Sequence, residues 1–388
     1  LGFEVDFTKI IAMQQPKRLV FGNGCASQFA DDFLATGLKR IFIVTAKPIL
    51  AVAQPLINSI EEKGFSVSIW DDINGEPTTK IFYNALKACK ESNSDAVIGI
   101  GGGSVLDVAK AITALLDSNQ DIYDAFGIGK VLCRKKYLAC FPTTAGTGSE
   151  VSPNSIILDE KENIKKGIIS PYLVPDASYI DPLLTISVPP NVTASTGMDA
   201  LIHCIEGYAN LFAHPVTDTY ALQGIRLISP SLKRAYDDGN DIEARAKMAL
   251  GSMFGGLCLG PVNTGAVHAL SYPLGSEFHV PHGIGNSLML MHVMKFNLPA
   301  MPERYAQIAL AMGIEPANSD IETSEKGLKR LIQLFSECKI PTKLSEIGIP
   351  INAIERMAKS AMTVTRLLKN NPIQLKLEDA IRIYTEAY

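Results

Sequence analysis

A chain of 388 residues, 47% hydrophobic and 20% charged, is long enough for two or three domains and a sizeable core. Its formal net charge of -4 offers no polycationic surface, and no basic tract or Cys/His finger spacing occurs, so no nucleic-acid partner is expected. Seven cysteines without a C-x-x-C pair, an acidic N-terminal stretch and no apolar run of membrane-spanning length point to a cytoplasmic protein with free thiols and no membrane partner.

In chain order, Lys17 to Gly24 reads as a short strand ending in a turn, outside the alternating pattern that follows. Strands are expected at 39–45, 66–70 and 95–100, separated by helices at 48–63 and 78–92, with further strands at 137–141, 155–158 and 177–180. Such alternation predicts a parallel sheet covered on both faces. The charged stretch 161–166 reads as a solvated face. After Asp181-Pro182 the periodicity is helical throughout, with helix starts at Asn191, Asp241 and Pro281-His282-Gly283 and an amphipathic segment at 376–384. A boundary near 185 follows. Residues 1–185 are expected to form an α/β dinucleotide-binding domain, and 186–388 an all-helical domain carrying the metal and the substrate.

Two loops have the composition of ligand sites. Ile100-Gly-Gly-Gly-Ser-Val-Leu-Asp-Val-Ala-Lys110 is a strand, a glycine turn and a helix start. Gly101, Gly102 and Gly103 let backbone amides come close to a pyrophosphate, and a helix N-terminus favours anions. A triple glycine alone is equally a tight strand–helix turn. Pro142-Thr-Thr-Ala-Gly-Thr-Gly-Ser-Glu150 is dense in hydroxyls and small residues, as suits hydrogen bonding to a ligand or, alternatively, a solvated turn.

In the helical half, Asp199 and His203 stand four residues apart in Thr196-Gly-Met-Asp-Ala-Leu-Ile-His-Cys-Ile-Glu-Gly-Tyr208, which puts both on one helix face. His268 and His282 lie in His268-Ala-Leu-Ser-Tyr-Pro-Leu-Gly-Ser-Glu-Phe-His-Val-Pro-His-Gly283. A carboxylate and three imidazoles can hold one divalent first-row metal, Fe²⁺ or Zn²⁺. Spacing alone equally allows an ordinary helix pair and histidines that serve folding. His214 and His292 read as structural.

These blocks, in this order, resemble the signature regions of the iron-containing (group III) alcohol dehydrogenases, and the likeness runs from about Lys17 to Tyr388. The resemblance implies a dehydroquinate synthase-like fold, with a Rossmann-like dinucleotide domain before an all-helical one and the active site between them. It implies Asp199, His203, His268 and His282 as ligands of Fe²⁺ (or Zn²⁺). It implies Gly103 and Ser104 as pyrophosphate contacts, Thr143, Thr144 and Thr147 on the phosphates, ribose or nicotinamide, and Asn154 and Lys165 on the ribose and nicotinamide side. The reaction implied is interconversion of a small alcohol and its aldehyde or ketone by hydride transfer to or from NAD or NADP. An N-terminal strand pairing across a twofold axis implies a homodimer or an assembly of dimers.

Two positions depart from the pattern. Ala46 stands where some relatives carry an aspartate on the adenosine ribose; such a carboxylate repels a 2′-phosphate, so its absence leaves NADP admissible. Tyr272 stands where many relatives carry a histidine for proton transfer. A phenol is a poor proton acceptor at neutral pH, so Tyr272, His279 and a water chain all stay open as the relay. Two rival functions share the fold: a metal- and NAD-dependent cyclising lyase resembling dehydroquinate synthase, and a structural protein without chemistry.

Overall fold

The computed structural model describes residues 6–388. The first strands read β1 (Arg18–Phe21), β2 (Arg40–Val44), β3 (Ser66–Trp70) and β4 (Ala96–Gly101). They alternate with helices α1 (Phe29–Leu34), α2 (Leu50–Glu62), α3 (Thr79–Glu91) and α4 (Gly103–Leu115). After a one-turn helix α5 (Ile122–Ala125) come β5 (Gly127–Ile128), β6 (Tyr137–Pro142), β7 (Asn154–Asp159), β8 (Ile164–Ile169) and β9 (Ala177–Ile180).

Six strands form a sheet in the order β1-β9-β6-β4-β2-β3, and every pairing in it is parallel. Parallel strands need covered faces, and the side-chain alternation shows both covers. Phe42, Val44 and Val97 point to a cluster with Phe82, Leu106 and Ile112 of α3 and α4. Ile41, Ile43, Ile98 and Ile100 point the other way, to Phe29, Phe33, Ile57, Phe141 and Tyr179.

In the stretch 161–166, residues 161–164 are exposed, as a solvated face requires, while Lys165 and Lys166 are partly buried. The end of this stretch opens β8, which pairs antiparallel with β7 from Asp159↔Ile164 to Asn154↔Ile169. Lys166 is compatible with a strand because Asp159 and Glu162 hold its ammonium at 2.8 Å each.

The remaining helices are α6 (Pro190–Tyr208), α7 (Pro215–Asp237), α8 (Ile242–Leu259), α9 (Ala266–Phe278), α10 (His282–Asn297) and α11 (Pro302–Ala311). They are followed by α12 (Asp320–Glu337), α13 (Ile354–Ala361), α14 (Thr365–Leu368) and α15 (Leu377–Glu386). No strand occurs past Ile180 among the described residues. Contacts divide the chain between Val188 and Pro189, three residues beyond the expected boundary, and residues 6–13 group with the helical unit rather than with the α/β one. A proline at the first turn of α6 starts that helix where its missing N–H costs nothing. Residues all round α6 are buried, because α7, α8 and α10 pack on it from different sides. That central helix carries the first two candidate ligands.

Candidate metal centre and cofactor loops

On α6, Asp199 and His203 are buried and share a face with Glu206. His268 lies in the first turn of α9, and His282 is the first residue of α10, following Pro281 at its N-cap. Gly283 fixes how α10 starts: a Cβ there would lie 1.9 Å from Ser195 O of α6, so the helices touch backbone to backbone. The result is convergence. Asp199 Oδ1 lies 3.5 Å from His268 Nε2, 3.7 Å from His282 Nε2 and 3.8 Å from His203 Nε2, while the Nε2 atoms of His203 and His268 are 3.1 Å apart. Ligand atoms about 2.0–2.2 Å from a tetrahedral ion stand roughly 3.3–3.6 Å from one another, so these separations suit a four-coordinate divalent metal. The ligand atoms of Asp199, His268 and His282 all lie within 4.8 Å of one another, and His203 adjoins them through Asp199 and His268.

The surroundings agree with a cation at this point. The Asn286 amide nitrogen donates to Asp199 Oδ1 at 2.7 Å and lies 3.0 Å and 3.2 Å from Nε2 of His268 and His282, so three acceptors face one locus. Glu206 Oε2 takes the Nδ1 proton of His268, which leaves Nε2 as the lone-pair nitrogen. Burial would raise the Asp199 carboxyl, but the imidazoles of His203, His282 and His268 hold it well below the usual carboxylate range. Burial would lower His268, yet the Glu206 and Asp199 carboxylates push it up to about 9. Two buried carboxylates thus demand positive charge, and a divalent ion neutralises both.

In the α/β unit, β4 runs through Gly101 into Gly102, the N-cap of α4. A Cβ on Gly103 would lie 2.4 Å from Thr147 Cγ2, and one on Gly102 3.3 Å from Thr144 Oγ1, so the threonine loop rests on the glycine turn. Thr143 N donates to Gly101 O at 3.0 Å, while Thr143 Oγ1 and Asn154 Oδ1 are buried without a hydrogen-bond partner. The N-terminus of α4 suits an anionic group, while the unpaired Asn154 oxygen calls for a hydrogen-bond donor such as a hydroxyl or amide of a ligand. Ser104 opens that helix in its first turn. Below, the fully buried Lys110 ammonium donates to Ser149 O at 2.7 Å and Ser152 O at 2.8 Å, and Asp107 accepts from Ser149 Oγ at 2.5 Å and Ile156 N at 2.8 Å. The two side chains therefore hold the threonine loop. Lys165 is held in an ion pair with Glu76, and Ala46 bridges to Asp72, whose carboxylate lies 3.9 Å from Lys47 Nζ.

Comparison with known proteins decides which chemistry this frame carries. Residues 16–182 match the family described as iron-containing alcohol dehydrogenase, and residues 193–388 match the Fe-containing alcohol dehydrogenase family, C-terminal. The chain belongs to the iron-containing alcohol dehydrogenase family. It is 35% identical over 373 residues to long-chain-alcohol dehydrogenase 1 of Geobacillus thermodenitrificans, covering 95% of this chain and 94% of that one. It is 36% identical over 372 residues to alcohol dehydrogenase 4 of Saccharomyces cerevisiae, covering 95% and 96%. A crystal structure of 1,3-propanediol oxidoreductase superposes with a TM-score of 0.95 at 30% identity, covering 98% of this chain and 100% of that one. The protein is accordingly a metal-containing, nicotinamide-dependent oxidoreductase of alcohols and their carbonyl partners. These matches favour the dehydrogenase over the cyclising lyase and the structural reading. No helix among the described residues is long and apolar enough to cross a membrane.

Within this member of the family, the two candidate proton-transfer residues differ in placement. Tyr272 is buried on α9, four residues after His268, with its ring 6.3 Å from that of His282. His279 is exposed and ends α9 in a left-handed conformation, φ +55°. His214 caps α7 by accepting from Val216 N at 3.2 Å, and His292 lies 3.9 Å from Glu386. Sequence reasoning passed over Glu206 and Asn286. The available signal was helical spacing: Glu206 follows His203 by three residues and Asn286 follows His282 by four.

Proposed function

We propose that Asp199, His203, His268 and His282 hold Fe²⁺ (or Zn²⁺), and that the chain interconverts a small alcohol and its aldehyde or ketone with NAD or NADP. The observation that carries this reading is the convergence of three Nε2 atoms on one carboxylate oxygen, Asp199 Oδ1, at 3.5–3.8 Å. When bound, the metal supplies Lewis acidity toward the alcohol or carbonyl oxygen, and the nicotinamide supplies the hydride donor or acceptor. Glu206 orients His268, and the backbone contact at Gly283 sets the entry of His282. The amides opening α4 receive the pyrophosphate at Gly101, Gly102, Gly103 and Ser104. Thr143, Thr144, Thr147 and Asn154 supply hydrogen bonds to the ribose and nicotinamide, and Lys165, once released from Glu76, adds a charged donor. Tyr272 is favoured over His279 as the residue that hands the proton toward solvent, because it is the one beside His282.

The assembly is a homodimer or a set of dimers, supported by β1. This strand ends the six-stranded sheet and leaves Leu19 and Phe21 partly exposed. Seven free thiols support a cytoplasmic setting. The deciding experiment loads metal-stripped protein with Fe²⁺ or Zn²⁺ and assays an alcohol and aldehyde panel with both cofactors. Metal-dependent reduction of a small aldehyde is expected. Stoichiometric metal without any cofactor turnover would refute the activity, and sedimentation equilibrium showing a monomer at micromolar concentration would refute the dimer.

A further inference from the structure

Helix α4 opens with Gly103 and Ser104 and carries Asp107 and Lys110 about one and two turns further on. Residues three apart share a helix face, and here both side chains reach Ser149. Lys110 Nζ lies 2.7 Å from Ser149 O and 3.1 Å from Ser149 Oγ, and that hydroxyl donates to Asp107 Oδ1 at 2.5 Å. A hydroxyl can accept from one group while donating to another, so Ser149 joins the two charges. Toward the threonine loop, Ser149 N donates to Thr147 Oγ1 at 3.2 Å, and the Thr147 methyl fills the space where a Gly103 Cβ would stand. Toward β7, Lys110 donates to Ser152 O at 2.8 Å, Asp107 Oδ2 accepts from Ile156 N at 2.8 Å, and Asp107 O accepts from Ser155 Oγ at 2.9 Å. These contacts bracket Asn154. All of these residues belong to the compact unit 14–188.

Burial lowers the Lys110 ammonium, and the Asp107 carboxylate opposes that. Apolar packing of the same volume would stabilise a loop without this desolvation cost. What the charged group adds is direction: an ammonium has three N–H donors, and fixed carbonyl acceptors admit one placement of the loop. Lys110 stands about 10 Å along the helix from Gly103, so it acts on a bound dinucleotide through the loop rather than by contact.

We infer that Asp107, Ser149 and Lys110 are positioning residues for the dinucleotide, which register Thr147 and Asn154 against the amides opening α4 and thereby set cofactor affinity. Without Lys110 the loop shifts, and hydrogen bonds on the ribose and nicotinamide side no longer form together with those to the pyrophosphate. The inference rests on the assignment of these loops to the cofactor and adds what fixes their spacing.

The test measures dissociation constants for NADH and NADPH by titration calorimetry, with melting temperature and metal content, in metal-loaded wild type, Lys110→Met, Ser149→Ala and the double variant. Lys110→Met should raise Kd for the preferred cofactor roughly tenfold to a hundredfold with stoichiometric metal, and in turnover the loss should fall on cofactor KM more than on kcat. Ser149→Ala keeps both charges and should raise Kd by a smaller factor. The double variant should exceed Lys110→Met by less than that factor, because both substitutions act through one loop. A lower melting temperature with Kd within about twofold of wild type in both single variants would show a role in stability alone and overturn the inference. Should Lys110→Met fail to fold, Ser149→Ala decides by the same criterion. Wild type that binds neither dinucleotide overturns the cofactor assignment itself.

Discussion

Glu206 Oε2 lies 2.5 Å from His268 Nδ1, while Oε1 of the same carboxylate accepts Val267 N at 2.7 Å. One buried side chain thus fixes both the tautomer of the imidazole proposed to bind the metal and the turn of α9 that presents it. Replacing Glu206 by Gln keeps an acceptor of the same shape but removes the charge that makes Nε2 a strong donor. Metal affinity should fall on the order of 10–100-fold. His268→Ala or His282→Ala should abolish stoichiometric metal and turnover together. Metal content by mass spectrometry after dialysis against a graded chelator checks all three, and full retention in either alanine variant would sink the ligand assignment.

Gly283→Ala tests the seat of His282. The added methyl would meet Ser195 O at 1.9 Å, a backbone atom that cannot swing aside. Helix α10 must shift outward from α6, carrying His282 with it, at a cost of about 1–3 kcal/mol or more. The expected outcome is a lower melting temperature together with weakened metal binding. A variant with wild-type metal content would show that the contact does not position the ligand.

Cofactor choice should respond to charge at position 46. Ala46→Asp is expected to shift preference from NADP(H) toward NAD(H), since a new carboxylate near a 2′-phosphate costs on the order of 1 kcal/mol or more. Wild type should accept both cofactors at comparable rates. Asp72 complicates the expectation in a measurable way, because it faces Ala46 across a bridge and lies near Lys47. If wild type already rejects NADP(H) strongly, Asp72→Asn should relax that rejection.

Much of this architecture was legible because period and spacing are local signals. The strand–helix alternation through Gly101 and the shared helix face of Asp199 and His203 need only neighbours along the chain. The ligand quartet itself needed the family resemblance, since nothing local joins His268 to Asp199. Strand β8 was not legible, because the ions that let Lys165 and Lys166 lie in a sheet come from Glu76 and Asp159. Lys110 was read as part of a motif block without a role. Its partners are main-chain carbonyls of Ser149 and Ser152, and backbone atoms leave no trace in residue type.

Burial pushes the Glu150 carboxyl up to about 7, against the weaker pull of its own backbone amide and of Lys110. In the unfolded chain this group ionises near its ordinary value of 4.5. Between about 4.5 and 7 the unfolded state has released a proton that the native state keeps, so stability falls as pH rises through that window and levels off above it. The full effect is on the order of 3 kcal/mol. Urea unfolding of wild type and Glu150→Gln across this range should give curves that diverge with pH and run parallel above about 7. Parallel curves throughout would place the Glu150 proton elsewhere.

The four candidate ligands come from three helices: α9 and α10 are consecutive, whereas α7 and α8 separate α6 from them along the chain. An ion bound to all of them joins segments that the unfolded chain cannot hold together, so metal concentration becomes a folding variable. Above the dissociation constant, each tenfold rise in free metal adds about 1.4 kcal/mol to the unfolding free energy. Chelators are therefore expected to lower the unfolding free energy of this protein. Core substitutions that look silent in a metal-rich medium should show their full cost when iron is scarce.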